Sequence, residues 1–75
     1  MAIDFLVVLR GYDRFAVDKL FTQAQDAVSS GSQLARTAAR DALTGAEFGA
    51  SLRGYDRAQV DLAVKIMADV LTRIP

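Results

Sequence analysis

The sequence predicts a mostly α fold with short strands, ordered β-α-α-β-α, in which two strand-turn-helix repeats pack as a pseudo-dimer. Three observations lead there. The hexapeptide Leu9-Arg10-Gly11-Tyr12-Asp13-Arg14 recurs 43 residues later as Leu52-Arg53-Gly54-Tyr55-Asp56-Arg57. At the same offset Phe5 answers Phe48, Val17 answers Val60, Asp18 answers Asp61 and Asp26 answers Asp69. Each copy is followed by apolar residues at helical spacing, and the first is preceded by a β-branched and aromatic run. A constant offset of this size marks a supersecondary unit that buries its apolar face only against a neighbour. The chain is read as one domain, with residues 1–43 as the first repeat and 44–75 as the second.

The first strand is expected over Ile3–Leu9, where β-branched and aromatic residues concentrate. Its counterpart, Glu47–Leu52, is expected to be short or irregular, because Gly49, Ala50 and Ser51 replace Leu6, Val7 and Val8. Gly11 and Gly54 then supply a strand-to-helix reversal, where positive φ is commonly needed. Asp13 and Asp56 stand at the N-cap position, accepting from free N–H groups of the first helical turn. The first helix runs approximately Arg14–Ser29, with Val17, Leu20, Phe21, Ala24 and Val28 on one face and Asp18, Gln25 and Asp26 away from it. Ser29-Ser30-Gly31 ends it, and Ser32 caps a second helix over Gln33–Thr44 that Gly45 closes. Leu34, Ala38, Ala42 and Leu43 form the apolar face assigned to that helix.

The third helix spans Arg57–Arg73. Its polar residues form one narrow stripe, Asp61, Lys65, Asp69 and Arg73, read as a solvated face with favourable i,i+4 order. The rest is apolar over most of the circumference, so burial on more than one side is expected. We read it as the central helix, and Leu62, Val64, Ile66, Met67, Val70 and Leu71 as an interchain face. A homodimer follows as the expectation, since 75 residues lie near the lower limit for a self-sufficient core.

Composition excludes several function classes. Nine basic and nine acidic residues give no net charge, which argues against nucleic acid. The nearest basic face, Arg36 and Arg40, is too small. Cys and His are both absent, which removes disulfides, thiol chemistry and the commonest metal ligands, so no metal or cofactor is expected. Asp18 and Asp61 have no His, Cys or nearby Lys to complete an acid–base site, and the chain is not expected to be an enzyme. No apolar run approaches the length of a membrane span, and Phe5–Leu9 is too short for a secretory signal.

The string Phe-x3-Leu-Arg-Gly-Tyr-Asp-Arg-x2-Val-Asp, present as Phe5–Asp18 and again as Phe48–Asp61, resembles the signature of the DivIVA N-terminal domain. The resemblance covers about fourteen residues per repeat and the helix after each. Tandem copies with short helices are similar to the small DivIVA-domain proteins of actinobacteria. The resemblance implies a cytoplasmic bacterial scaffold, peripheral at the inner face of the plasma membrane, that recruits division or growth proteins. It also implies a dimer, in the family continued by a parallel coiled coil. By position, Leu9 and Leu52 would insert into an anionic membrane surface and Arg10 and Arg53 would meet its headgroups. This chain departs from the family in carrying Leu instead of a large aromatic at the tip, in lacking a long heptad segment, and in its zero net charge.

Each motif residue also has a plainer reading. Leu9 and Leu52 could end a strand in the core; their exposure decides. Arg10 and Arg53 could pair internally, with Asp13 or Asp18 and with Asp56 or Asp61. Tyr12 and Tyr55 are read as packing residues whose hydroxyls reach a polar group. The alternative to a membrane scaffold is a cytosolic homodimeric interaction module whose loops never meet lipid.

Overall fold

The computed structural model describes residues 5–73. The elements are β1 (Val7–Tyr12), α1 (Arg14–Ser30), α2 (Gln33–Thr44), β2 (Ala50–Tyr55) and α3 (Arg57–Arg73). The architecture is the expected one, β-α-α-β-α and mostly helical. The strands lie further along the chain than expected. They contain the repeated motif itself instead of stopping before it, and β2 is as long as β1 with the same burial pattern. Ile3, where the first strand was expected to begin, lies outside the described residues.

Local sequence explains the helix ends. The Asp13 carboxylate accepts from the Phe15 N–H at 3.3 Å, and Asp56 does the same for Gln59 at 3.2 Å. Gly31 closes α1 in the left-handed conformation, φ 72°, where a Cβ would be strained. Ser32 caps α2 by accepting from the Ala35 N–H at 3.2 Å, and the Gly45 N–H returns to the Asp41 carbonyl at 3.0 Å.

The two strands pair with residue numbers rising on one as they fall on the other. Val7 faces Tyr55, Val8 faces Gly54, Leu9 faces Arg53, Gly11 faces Ser51 and Tyr12 faces Ala50. Arg10 interrupts the ladder, with φ 59°. A further pairing, Tyr12 with Tyr55, breaks this register and marks where the two ribbons cross. The crossing explains the repeated glycines. Neither Gly11 nor Gly54 has positive φ, so the expected reversal is not their role. A Cβ on Gly11 would instead collide with the backbone of Gly54 and Tyr55, and one on Gly54 with that of Tyr12 and Gly11. Close backbone approach, not turn geometry, requires glycine here.

Beneath the crossing sits one core cluster, Val17, Phe21 and Val60, with Phe5, Tyr12, Phe48 and Tyr55 packed on it. A second cluster, Ala24, Ala27, Ala39, Leu43 and Leu71, joins the three helices. Its small residues let the helices approach closely. α2 packs against both α1 and α3, whereas α1 and α3 touch sparsely, so α2 rather than α3 is the central helix. The buried face of α2 is Ala35, Ala39 and Leu43; Leu43 was expected there, whereas the expected Leu34, Ala38 and Ala42 lie one row round. Leu34 is 81% exposed. The face of α3 also divides. Leu71 is buried and Val64 and Met67 pack on the intrachain core, while Leu62, Ile66 and Val70 form an exposed stripe at i, i+4 and i+8.

Candidate functional site: the crossed loops

The repeats are related by a pseudo-twofold axis through the crossing, and their contacts are exchanged. The Tyr12 hydroxyl donates to Asp61 at 2.9 Å, and the Tyr55 hydroxyl donates to Asp18 at 2.8 Å. Each tyrosine therefore closes on the other repeat's aspartate. The Asp13 N–H donates to the Gly49 carbonyl at 2.7 Å, and the Asp56 N–H to the Leu6 carbonyl at 2.8 Å. Phe5 stacks at a tilt on Tyr55 and Phe48 on Tyr12, both with centroids 5.2 Å apart. Val17 and Val60 are both fully buried.

This exchange settles the roles of several motif residues. Gly11 and Gly54 are the crossing point, and Asp13 and Asp56 are helix caps. Tyr12 and Tyr55 pack, and each hydroxyl finds a carboxylate. Asp18 and Asp61 are taken by tyrosine and not by arginine. Among the described residues the ion pairs are Arg40–Asp41 at 3.5 Å and Arg73–Asp69 at 3.1 Å, so the internal pairing considered for Arg10 and Arg53 is not formed. Arg57 has a role that sequence reasoning missed. Its Nε donates to the Arg10 carbonyl at 3.1 Å while its guanidinium lies 5.4 Å over the Tyr12 ring. It thus braces the strained Arg10 backbone from the opposite repeat.

With core and carboxylates occupied below, the loop tips are left facing outward. Leu9 is 73% and Leu52 76% exposed, so neither ends a strand in the core. Arg10 and Arg53 are exposed beside them. Leu9 pairs with Arg53 across the strands, so the tip of one repeat sits against the arginine of the other. Leu6 and Val7 extend the apolar surface, and Val7, Val8, Leu9 and Arg53 line one shallow depression.

An open groove beside α3 is lined by Tyr12, Phe48, Asp61 and Lys65 among others. The Tyr12 phenol is pushed above its ordinary value of 10.0, first by its hydrogen bond to Asp61, then by burial and the charge of Asp61, with Arg57 opposing. That direction is opposite to what a tyrosine acting as a base requires. Among the described residues no group of three or more His, Cys, Asp or Glu could hold a metal ion. No described helix is long and apolar enough to cross a membrane.

The fold and tips define a class of protein, a fused tandem of two strand-helix units with paired apolar–cationic loops. No protein-family model, curated protein or solved structure matches the chain.

Proposed function

We propose that this chain is a non-enzymatic, DivIVA-like scaffold or adaptor domain of bacterial cell division or polar growth. Its crossed loops attach it to an anionic membrane surface, and the remaining surface presents division or growth proteins. The observation that carries this reading is the exposure of both tip leucines, each beside an arginine with no carboxylate partner among the described residues. Burying a leucine in an apolar phase contributes about 1.5–3 kcal/mol. An arginine near an anionic leaflet contributes about 1 kcal/mol. Two such tips on one rigid unit bind peripherally and reversibly, and together more tightly than either alone.

The test is co-sedimentation with vesicles of phosphatidylglycerol and phosphatidylcholine. The protein pellets with them, and Leu9→Ser/Leu52→Ser, still folded by circular dichroism, stays in the supernatant. A wild-type protein that never pellets would refute membrane attachment.

The exposed Leu62, Ile66 and Val70 stripe favours a second, compatible reading, homodimerisation through α3. On the alternative reading, a cytosolic interaction module, that stripe is the working surface and the tips are inert. Sedimentation velocity at micromolar concentration decides: a dimer for the wild type and a monomer for Ile66→Lys support the α3 interface, and a wild-type monomer refutes it.

A further inference from the structure

The two repeats match at the crossing itself, where Gly11, Tyr12 and Val17 answer Gly54, Tyr55 and Val60, but differ beside it, where three exposed positions of the strands and first helical turns carry the larger apolar residue in the first repeat. Exposed Leu6 is answered by Gly49, Val7 by Ala50, and Phe15 by Ala58. The most pronounced case is Phe15, a phenyl ring on the first turn of α1 that is 78% exposed. Nothing in helix formation requires it, since its counterpart at the same position of α3 is alanine.

Phe15 is not isolated from the tips. Arg53 lines the depression it shares with Val7, Val8 and Leu9, and also a second one shared with Phe15, Arg14 and Asp13. One surface therefore runs from Leu9 through Val7 and Arg53 to Phe15. Its three arginines, Arg10, Arg14 and Arg53, outnumber its two aspartates, Asp13 and Asp18. Asp13 caps α1 and Asp18 accepts from Tyr55, while Arg10, Arg14 and Arg53 enter no ion pair among the described residues. A surface of exposed large apolar side chains among unpaired arginines matches an anionic lipid interface, in which apolar groups sink about 5–10 Å below the headgroups.

The geometry points to a one-sided membrane contact: the domain leans onto its first-repeat face, inserting Leu6, Val7 and Phe15 besides the tip leucines Leu9 and Leu52, with Arg14 and Arg53 at the headgroups. This rests on the membrane reading above and adds that the pseudo-twofold axis is tilted against the bilayer. Phe15 is then an anchoring residue at a position the repeated motif leaves variable, and Ala58 stays in water.

The chain contains no tryptophan, so one placed by substitution is a sole reporter. Leu52→Trp, Phe15→Trp and Ala58→Trp all fall at exposed positions, and retained melting confirms folding. Each is titrated with phosphatidylglycerol–phosphatidylcholine vesicles while its emission is followed. The expected result is a blue shift for Leu52→Trp and Phe15→Trp and none for Ala58→Trp, with Phe15→Ser binding about tenfold more weakly than wild type. A shift at Leu52→Trp without one at Phe15→Trp overturns the lean and leaves tip attachment standing. Equal shifts at positions 15 and 58 overturn it too, because the domain then docks upright. No shift at any position overturns both readings. A concentration-dependent shift at position 15 without vesicles means a second copy covers the patch, which also overturns it.

Discussion

Replacing Gly54 with alanine tests the crossed-strand geometry directly. The added methyl would lie 2.5 Å from the Gly11 carbonyl carbon and 2.8 Å from its oxygen, and nearer still to the Tyr12 oxygen. Ordinary contact begins at 3.4 Å, so the ribbons must part by at least about 0.9 Å to clear the carbonyl carbon. All three obstacles are backbone atoms, and no side chain can swing aside. Overpacking of this kind costs about 1–3 kcal/mol. The separation also stretches the two flanking hydrogen bonds, Asp13 to Gly49 and Asp56 to Leu6, each worth about 1 kcal/mol. The expected loss is about 3–5 kcal/mol. For 75 residues the whole stability is about 4–11 kcal/mol, so Gly54→Ala removes a large part of it. The assay is urea denaturation followed by far-ultraviolet circular dichroism, with Gly49→Ala as control, since a Cβ there meets nothing within 4 Å. A Gly54→Ala midpoint matching the control would refute close backbone approach as the reason for the glycine.

Three further outcomes are expected. Tyr12→Phe and Tyr55→Phe each lose one exchanged hydrogen bond and should cost similar amounts, about 1 kcal/mol by the same denaturation; a large inequality would mean the exchange is not symmetric in energy. Because the folded chain raises the Tyr12 pKa above its unfolded value of 10.0, the stabilisation it brings is complete below that pH and lost as pH rises through the folded pKa. Melting temperature should therefore fall on the alkaline side of pH 10 and fall less in Tyr12→Phe. Leu43→Ala should cost about 2–5 kcal/mol, since Leu43 is among the largest fully buried side chains; Leu34→Ala, on the exposed row of the same helix, should change the midpoint by less than about 0.5 kcal/mol.

What was legible in the sequence was local. The bounds of α2 and α3 follow from Ser32, Asp56 and Gly45, whose side chains or backbone freedom act within a few residues of the helix ends. The repeat gave the order of elements and the pairing of halves. The strands were misplaced because β-propensity draws attention to Leu6–Val8, whereas pairing extends through Gly11 and Tyr12 by contact with residues some forty positions away. The same distance hid the exchange of Tyr12 and Tyr55 between repeats, so arginine looked like the natural partner for Asp18 and Asp61. On α2 the rows Leu34–Ala38–Ala42 and Ala35–Ala39–Leu43 are adjacent. Leu34 pulled three of the four assigned positions to the first and left only Leu43 on the second, although the approach of α1 and α3 to α2 selects the second. Phe15 carried a signal that could have been used: between the matched Arg14 and Val17 it is a large apolar residue whose counterpart is Ala58.

The joining of both crossed units in one chain has a consequence beyond stability. Two identical subunits around a true twofold axis must carry every substitution twice, so a residue useful on one face is imposed on the other. Here the two halves are held together by α2 at a fixed ratio, yet their codons are separate. The crossing itself, Gly11 over Gly54 and Tyr12 and Tyr55 on Asp61 and Asp18, tolerates little divergence because each half is the other's template. Outside it, the halves are free to specialise. Joining two copies has turned a symmetric clasp into a handed one, able to tell its left side from its right.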